Sequence, residues 1–158
     1  MFDSPLKEDI APLHRIVIHT QTYDHMLDYA KDRLPNEACG VLAGSMLEEH
    51  GEAIIRISAM YPIANDAMNP ARAFAFNPEA WVNAYYQMQK NRQSLVGFFH
   101  SHPTAPPSMS QADLAGLRHS GAETYWILSF EQSGPPSVCV YRQRHGCWTA
   151  SMFAQVCV

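Results

Sequence analysis

Two histidines separated by one residue, His100 and His102, are the side chains whose type and spacing best suit metal chemistry. They directly follow Leu95–Phe99, an apolar segment with the composition of a buried β-strand. Side chains at positions i and i+2 of a strand point to the same face, so both imidazoles can reach one ion. A catalytic zinc generally takes three protein ligands and a water, so this pair predicts a third ligand elsewhere in the chain.

Asp113 is the candidate for that third ligand. It lies in the first turn of a helix predicted to begin at Ser110 and to run to about His119, after a proline-rich turn. Because the chain reverses in this turn, the helix can fold back over the strand end, where its dipole favours a carboxylate. Ser110 and Asp113 also fit an ordinary capping box, and an isolated H-x-H is more often ordinary histidine than metal ligand. The full pattern H-x-H-x(7)-S-x-x-D is much less frequent by chance than either part.

Glu37 is the candidate base for such a site. A hydrolase that uses a zinc-bound water needs a group that takes the proton from that water and returns it to the leaving amine. Glu37 follows Pro35, which ends a predicted helix, and precedes the apolar run Val41–Gly44. Small apolar neighbours would raise the pKa of its carboxyl by burial. The spacing alone favours the alternative, in which Glu37 is an exposed acid of a loop.

The elements that position these residues alternate irregularly between strands and helices. Predicted strands cover Arg15–His19, Val41–Gly44, Ala53–Met60, Phe74–Phe76, Leu95–Phe99, Thr124–Ser129, Ser137–Arg142 and the region near Trp148–Phe153. One predicted helix spans Tyr23 to Leu34 with Thr20 or Thr22 as its cap, and another begins at Asn77-Pro78-Glu79 with Trp81, Tyr85 and Met88 as its apolar stripe. We therefore expect an α/β protein of the α+β type, with one curved mixed β-sheet flanked by helices.

Length and composition exclude several classes of protein. The chain has 158 residues and a formal net charge of −4, which predicts one domain over residues 14–158 after a loose lead-in over residues 1–13. No run of Lys or Arg supports a nucleic-acid or anionic-membrane surface. No apolar run reaches the roughly 20 residues of a membrane span, and the N-terminus lacks the apolar core of a signal peptide. The four cysteines form no C-x-x-C pair, and we predict a cytoplasmic protein.

Two blocks, Glu37–Gly44 (E-A-C-G-V-L-A-G) and His100–Asp113, carry a resemblance to the JAMM or MPN+ zinc metalloprotease family. The chain is most similar to the small stand-alone prokaryotic members. The resemblance implies the cytidine-deaminase-like MPN fold and one zinc ion held by His100, His102 and Asp113. It also implies that Glu37 acts as general base and acid, and that Ser110 steadies the oxyanion or holds the catalytic water.

The resemblance further implies a substrate class. Family members commonly hydrolyse the bond after the C-terminal Gly-Gly of a ubiquitin-like, β-grasp protein or of a sulfur-carrier protein, whose extended tail can add as a strand. The turn-rich surface loop Tyr61–Ala73 lies where larger relatives carry a substrate-gripping insertion, and Asn65 in it is a candidate for substrate binding. The short segment Glu131–Ser137 leaves no room for a second insertion, which argues against linkage-specific deubiquitination.

Three alternatives compete with a zinc peptidase. A non-catalytic MPN scaffold that binds a ubiquitin-like partner would not need the complete set of polar residues found here. Cys39 next to Glu37 suggests a thiol nucleophile with His100 or His102 as its base, although a buried thiol is normally inert. A zinc deaminase would need H-x-E followed by P-C-x-x-C, and the chain has neither. The sequence leaves open the carrier protein, the choice between peptide and isopeptide, any sulfur transfer, the metal beyond a preference for zinc, and the oligomeric state.

Overall fold

Eight strands and three helices make up the described part of the chain, which in this computed structural model comprises residues 15–116, 124–144 and 146–158. The strands are β1 (Arg15–His19), β2 (Cys39–Glu49), β3 (Glu52–Ile63), β4 (Ser94–His102), β5 (Thr124–Ser129), β6 (Ser137–Arg144), β7 (Cys147–Ser151) and β8 (Phe153–Val156). The helices are α1 (Thr20–Arg33), α2 (Pro78–Lys90) and α3 (Gln111–Gly116). The predicted lead-in, residue 14 and the predicted helical segment up to His119 beyond Gly116 lie outside the described residues.

All eight strands form one mixed sheet in the order β7-β6-β5-β4-β2-β3-β1-β8. The pairs β1–β3, β1–β8 and β4–β5 are parallel, and the other neighbouring pairs are antiparallel. Strands β7 and β8 lie at opposite edges of the sheet, yet only Met152 separates them along the chain. The two edges must therefore come close together, so the sheet curls. This confirms the predicted curved mixed sheet of an α+β protein.

The sequence located most strands but misjudged several of their ends. Strands β1 and β5 have the predicted bounds, whereas β2 extends to Glu49 and β3 extends to Ile63. Strand β3 therefore contains Pro62, although proline predicted a loop there. Pairing of β1 with β3 ends at Ile57, so at Pro62 strand β3 pairs with β2 and no longer with β1, which is the kind of edge position where strands tolerate proline. The predicted strand Phe74–Phe76 is only a single bridge between Asn65 and Phe76.

The C-terminal prediction of one strand near Trp148–Phe153 was wrong, because the chain makes two strands there. Strand β7 pairs with β6, and β8 pairs with β1 at the far edge of the sheet. This change of partner is a matter of long-range pairing, which local composition does not show.

The predicted N-terminal cap is confirmed for α2 and is wrong for α1. Asn77 caps α2 as predicted, because its side-chain oxygen accepts a hydrogen bond from the Ala80 N–H at 2.8 Å. Helix α1 begins at Thr20 with His19 as its N-cap residue and no side-chain cap bond, so the predicted threonine cap was wrong. Tyr85 is 48% exposed and does not belong to the buried stripe of α2, which consists of Ala84 and Met88. None of the described helices has the length and apolar character to span a bilayer.

The core lies on both faces of the central strands. Helix α1 covers one face, where Met26 packs in a cluster with Ile16 and Ile55. Helix α2 covers another part of the sheet, where Met88 packs with Val41. All six residues of β5 are buried, so this strand and its neighbour β4 form a rigid centre for the groups at the end of β4.

Candidate metal centre

Three potential metal ligands converge at the carboxyl end of β4. The Nε2 atoms of His100 and His102 are 2.9 Å apart. Oδ1 of Asp113 lies 3.2 Å from Nε2 of His100, and Oδ2 of Asp113 lies 3.4 Å from Nε2 of His102. Atoms bound tetrahedrally to one zinc ion at about 2.0–2.1 Å would lie about 3.3 Å from each other. The two imidazoles and the carboxylate therefore fit one zinc ion.

Hydrogen bonding sets the orientation of the His102 ring. Its Nδ1 lies 2.8 Å from the carbonyl oxygen of Pro106, in the proline-rich turn after β4. Since a carbonyl can only accept, Nδ1 donates the proton, and in the neutral ring Nε2 then presents its lone pair to the cluster. The turn that the sequence assigned only to chain reversal therefore also orients one of the three candidate ligands.

The His100 ring is held by packing instead. It stacks on the Phe74 ring at a centroid distance of 4.7 Å and contacts the Tyr125 ring at 5.4 Å. Among the described residues, Nδ1 of His100 has no hydrogen-bond partner. Burial lowers the pKa of His100, which keeps this imidazole neutral and able to coordinate.

Asp113 supplies the negative charge of the cluster. Burial would raise the pKa of its carboxyl, but hydrogen bonds with His100 and His102 outweigh burial and lower this pKa well below its ordinary value. Burial also lowers the pKa of His102, yet its hydrogen bonds to Asp113 and Pro106 raise it overall. A metal bound at Nε2 of His102 would therefore have to displace a proton.

Ser110 and Asp113 form the predicted capping box, which also holds the Asp113 carboxylate in the cluster. The Ser110 N–H donates to Oδ2 of Asp113 at 2.8 Å, and the Asp113 N–H donates to Oγ of Ser110 at 3.1 Å. The structural and functional interpretations of this motif are thus compatible, because the cap holds the carboxylate in place. Ser110 is exposed, and its hydroxyl uses a lone pair in the cap, so the hydroxyl proton is available to another acceptor.

Glu37 lies beside this cluster and not in an exposed loop. Glu37 is only 8% exposed. The alternative that the spacing alone favoured, an exposed acid of a loop, is therefore wrong. Burial raises the pKa of the Glu37 carboxyl from 4.5 to about 7, while His102 lowers it and Asp113 raises it further. A carboxyl with a pKa near neutrality can both accept and return a proton at neutral pH.

The Cys39 thiol does not have the properties of a nucleophile. It is fully buried and donates a hydrogen bond to the Ile63 carbonyl oxygen at 3.3 Å. Burial, and then the nearby Glu37 and Asp66, raise the pKa of this thiol to about 12. The thiol therefore stays protonated at neutral pH, which argues against the thiol alternative.

Sequence reasoning missed Ser101, which holds the residue after Glu37. The Ser101 hydroxyl accepts a hydrogen bond from the Ala38 N–H at 2.8 Å, and the Ser101 N–H donates to the Ala38 carbonyl at 2.9 Å. Strand alternation provides a signal for this role, since Ser101 lies between two histidines that share one face and must point to the other.

Asn65 lies near the cluster but makes its contacts with the backbone of its own chain. Its amide nitrogen donates to the carbonyl oxygens of Glu37 and Ala73, each at 3.0 Å. Its amide oxygen accepts from the N–H groups of Ala67 at 3.0 Å and Ala75 at 3.1 Å. Sequence reasoning considered Asn65 only for substrate contact, and that role stays a prediction.

Comparison with known proteins gives a family match over most of the chain. The model for prokaryotic homologs of the JAB domain matches residues 19–144. A desampylase from Haloferax volcanii is 30% identical over 103 residues, covering 63% of this chain and 70% of that protein. A desampylase from Pyrococcus furiosus is also 30% identical over 103 residues, covering 59% of this chain and 67% of that protein.

Solved structures show the same fold. A solution structure of a Desulfitobacterium hafniense protein superposes with a TM-score of 0.76 at 26% identity, covering 90% of this chain and 94% of that chain. A solution structure from Salinibacter ruber superposes with a TM-score of 0.65 at 22% identity, covering 88% of this chain and 90% of that chain. The second likeness concerns the fold alone.

Proposed function

Because this chain belongs to the family of prokaryotic JAB-domain proteins, we propose that it is a zinc-dependent peptidase or isopeptidase acting on ubiquitin-like proteins. The proposed bond follows the C-terminal Gly-Gly of a ubiquitin-like or sulfur-carrier β-grasp protein. The observation that supports this proposal best is the convergence of two imidazoles and one carboxylate next to a buried glutamate with a pKa near 7. The two desampylase relatives support an isopeptidase that acts on ubiquitin-like conjugates.

His100, His102 and Asp113 are the proposed holders of the metal. Their potential ligand atoms all lie within 4.8 Å of one another, and two nitrogens with one oxygen suit zinc. When bound at such a site, zinc lowers the pKa of a water molecule and polarises a carbonyl group. Hydrogen bonds from Ser110 to Asp113 and from His102 to Pro106 orient two of these proposed ligands.

Glu37 is the proposed proton carrier. Its ionised carboxylate takes a proton from the attacking water as the new C–O bond forms at the scissile carbonyl. The protonated carboxyl then gives this proton to the nitrogen of the leaving amine as the C–N bond breaks. Burial favours the protonated form of this carboxyl, which supports its role as carrier of the proton between the two steps.

Ser110 is the proposed donor to the oxyanion. Its Oγ accepts the Asp113 N–H, which fixes the oxygen beside the cluster and leaves the hydroxyl proton for an external acceptor. A hydrogen bond from this hydroxyl would strengthen as negative charge develops on the carbonyl oxygen of the substrate.

The proposal is tested by cleavage of defined substrates with a chelator control. The zinc-loaded protein is incubated with Gly-Gly β-grasp proteins of its own source, carrying either a C-terminal peptide extension or a lysine-linked conjugate. Intact mass reports loss of the extension or conjugate, and we expect this loss to stop with chelator. Zinc binding without cleavage of either substrate would instead support the non-catalytic scaffold that binds a ubiquitin-like partner.

Variants separate metal binding from proton transfer. We expect Glu37→Ala to retain zinc and lose turnover by at least about 100-fold, because general acid–base catalysis contributes that much.

His102→Ala should lose both zinc and turnover. His25→Ala is the matched control, since His25 is an exposed histidine of α1 and should retain both. Wild-type turnover in Glu37→Ala would remove Glu37 as the base, and unchanged metal content in His102→Ala would remove His102 as a ligand.

A further inference from the structure

The loop between β3 and α2 contacts two of the site residues. This loop, residues 64–77, is called the site loop here. Its Pro70 carbonyl accepts a hydrogen bond from the Glu37 N–H at 2.7 Å, and its Asn65 amide donates to the Glu37 carbonyl at 3.0 Å. Its Phe74 ring stacks on His100. Both backbone polar groups of Glu37 are thus bonded to the site loop.

Glu37 depends on these bonds because no strand holds it. Strand β2 begins at Cys39, so the peptide groups of Glu37 lie outside the sheet ladder. The next residue, Ala38, is fixed to β4 through Ser101. The chain on the other side of Glu37 is the turn after α1. The position of the Glu37 backbone is therefore set by Ala38 on one side and by the site loop.

Asn65 organises the loop that makes these contacts. Its side chain uses both amide hydrogens and both lone pairs of its oxygen in four hydrogen bonds with backbone groups. Three of these bonds reach Ala67, Ala73 and Ala75, which lie on the two arms of the site loop, and the fourth reaches Glu37. Aspartate can supply only the two accepting positions, and alanine supplies none of the four.

We propose that Asn65 is the positioning residue for Glu37. The Asn65 amide closes the site loop on itself and ties the closed loop to the Glu37 carbonyl, while the same loop presents Pro70 to the Glu37 N–H. The carboxyl of Glu37 is thereby directed at the cluster of His100, His102 and Asp113. The effect on turnover rests on the proposed function, whereas the effect on the Glu37 backbone does not.

The test compares Asn65→Asp and Asn65→Ala with Asp66→Ala. Asp66 is the matched control because its exposed carboxylate also bonds within the site loop, to the Asn77 amide at 2.8 Å, without reaching Glu37. Measurements are kcat and KM with the cleavable conjugate, zinc content, melting temperature, and amide hydrogen exchange of Glu37, Ala67 and Ala75 by NMR. Asn65→Asp keeps an oxygen that can accept the hydrogen bonds from the Ala67 and Ala75 N–H groups. If Asn65→Ala fails to fold, Asn65→Asp still tests the proposal.

We expect kcat to fall at least about 10-fold in both Asn65 variants, with KM and zinc content little changed, because small displacements of a catalytic group are costly. Asn65→Asp should keep the protection of Ala67 and Ala75, and Asn65→Ala should lose it together with protection of the Glu37 amide. Asp66→Ala should lower the melting temperature without lowering kcat. A kcat within threefold of wild type in Asn65→Asp would overturn the proposal, as would an equal kcat loss in Asp66→Ala.

Hydrogen exchange separates this proposal from the proposed function. If the wild-type protein cleaves no conjugate, the proposed function fails, but exchange still reports the backbone of Glu37. Loss of Glu37 protection in Asn65→Ala and not in Asp66→Ala supports positioning by Asn65. Unchanged Glu37 protection in a folded Asn65→Ala variant contradicts it.

Discussion

At the scale of single residues, the burial of Glu37 should make the free energy of unfolding of the metal-free protein depend on pH. The pKa of this carboxyl rises from 4.5 to about 7, chiefly because burial disfavours its charged form. Between these two pH values the folded protein binds a proton that the unfolded chain has released. Stability therefore falls as the pH rises from about 4.5 to about 7 and stays lower above that range.

We expect Glu37→Gln to remove this pH dependence. Glutamine imitates the protonated carboxyl, so the metal-free variant should match wild type near pH 4 and exceed it above pH 7 by about 2 kcal/mol in free energy of unfolding. Urea unfolding at several pH values, with chelator present, measures the difference. Glu48→Gln, at an exposed position of β2, is the matched control for the substitution itself. A constant difference between wild type and Glu37→Gln at all pH values would contradict the raised pKa.

At the scale of elements, one side chain connects the end of β4 to the start of β2. The fully buried Ser101 accepts a hydrogen bond from the Ala38 N–H, and Ala38 is 1% exposed. The strand end that presents the histidines and the segment that presents Glu37 are therefore joined by a bond on the opposite face of β4. The placement of the two histidines relative to Glu37 is therefore a property of this strand pair.

Ser101→Ala should therefore destabilise the protein by about 1–3 kcal/mol, the usual result of leaving a buried N–H without a partner. Because the two strands then separate slightly at the site, we also expect a loss of kcat with zinc content unchanged. Chemical unfolding and turnover of the conjugate are the measurements. Ser94→Ala on the same strand is the control, since Ser94 is exposed and the change should be nearly neutral. Equal stabilities of the two variants would mean that the Ala38 bond is not a significant contact.

The same elements show which features a sequence can predict. Local signals sufficed for β1, β5 and the Asn77 cap, because strand composition and capping chemistry act over a few residues. The spacing of His100 and His102 predicted their convergence through strand geometry alone. Pairing between distant segments decided the rest. For example, β1 ends its pairing at Ile57, which leaves Pro62 at an edge position of β3.

The contacts of Phe74 and Asn65 with the site were not predictable for a related reason. Both lie in a turn-rich segment whose composition indicates only a loop. Their contacts with His100 and Glu37 depend on how the whole loop folds back over the sheet. No periodicity encodes such a path, so the site loop was predicted as surface and its backbone contacts were missed.

At the scale of the whole molecule, a metal would connect the central sheet to a helix outside it. Two proposed ligands belong to β4 in the centre of the sheet, and the third, Asp113, belongs to α3, which lies outside the sheet. The Asp113 carboxylate reaches β4 at His100 and His102. A metal bound by Asp113 and the histidines would therefore fix α3 and the preceding proline-rich turn to the most buried region of the protein.

Metal binding should accordingly stabilise the entire domain. A ligand that binds only the folded state adds about 4 kcal/mol at a free concentration 1,000 times its Kd. We expect zinc to raise the melting temperature of the wild-type protein and chelator to reverse this rise. Asp113→Asn should abolish the effect, while Asp28→Asn, at an exposed position of α1, should retain it. The metal links β4 to α3 only if Asp113 is a ligand, so an undiminished rise in Asp113→Asn would place the metal elsewhere and withdraw the proposed coordination.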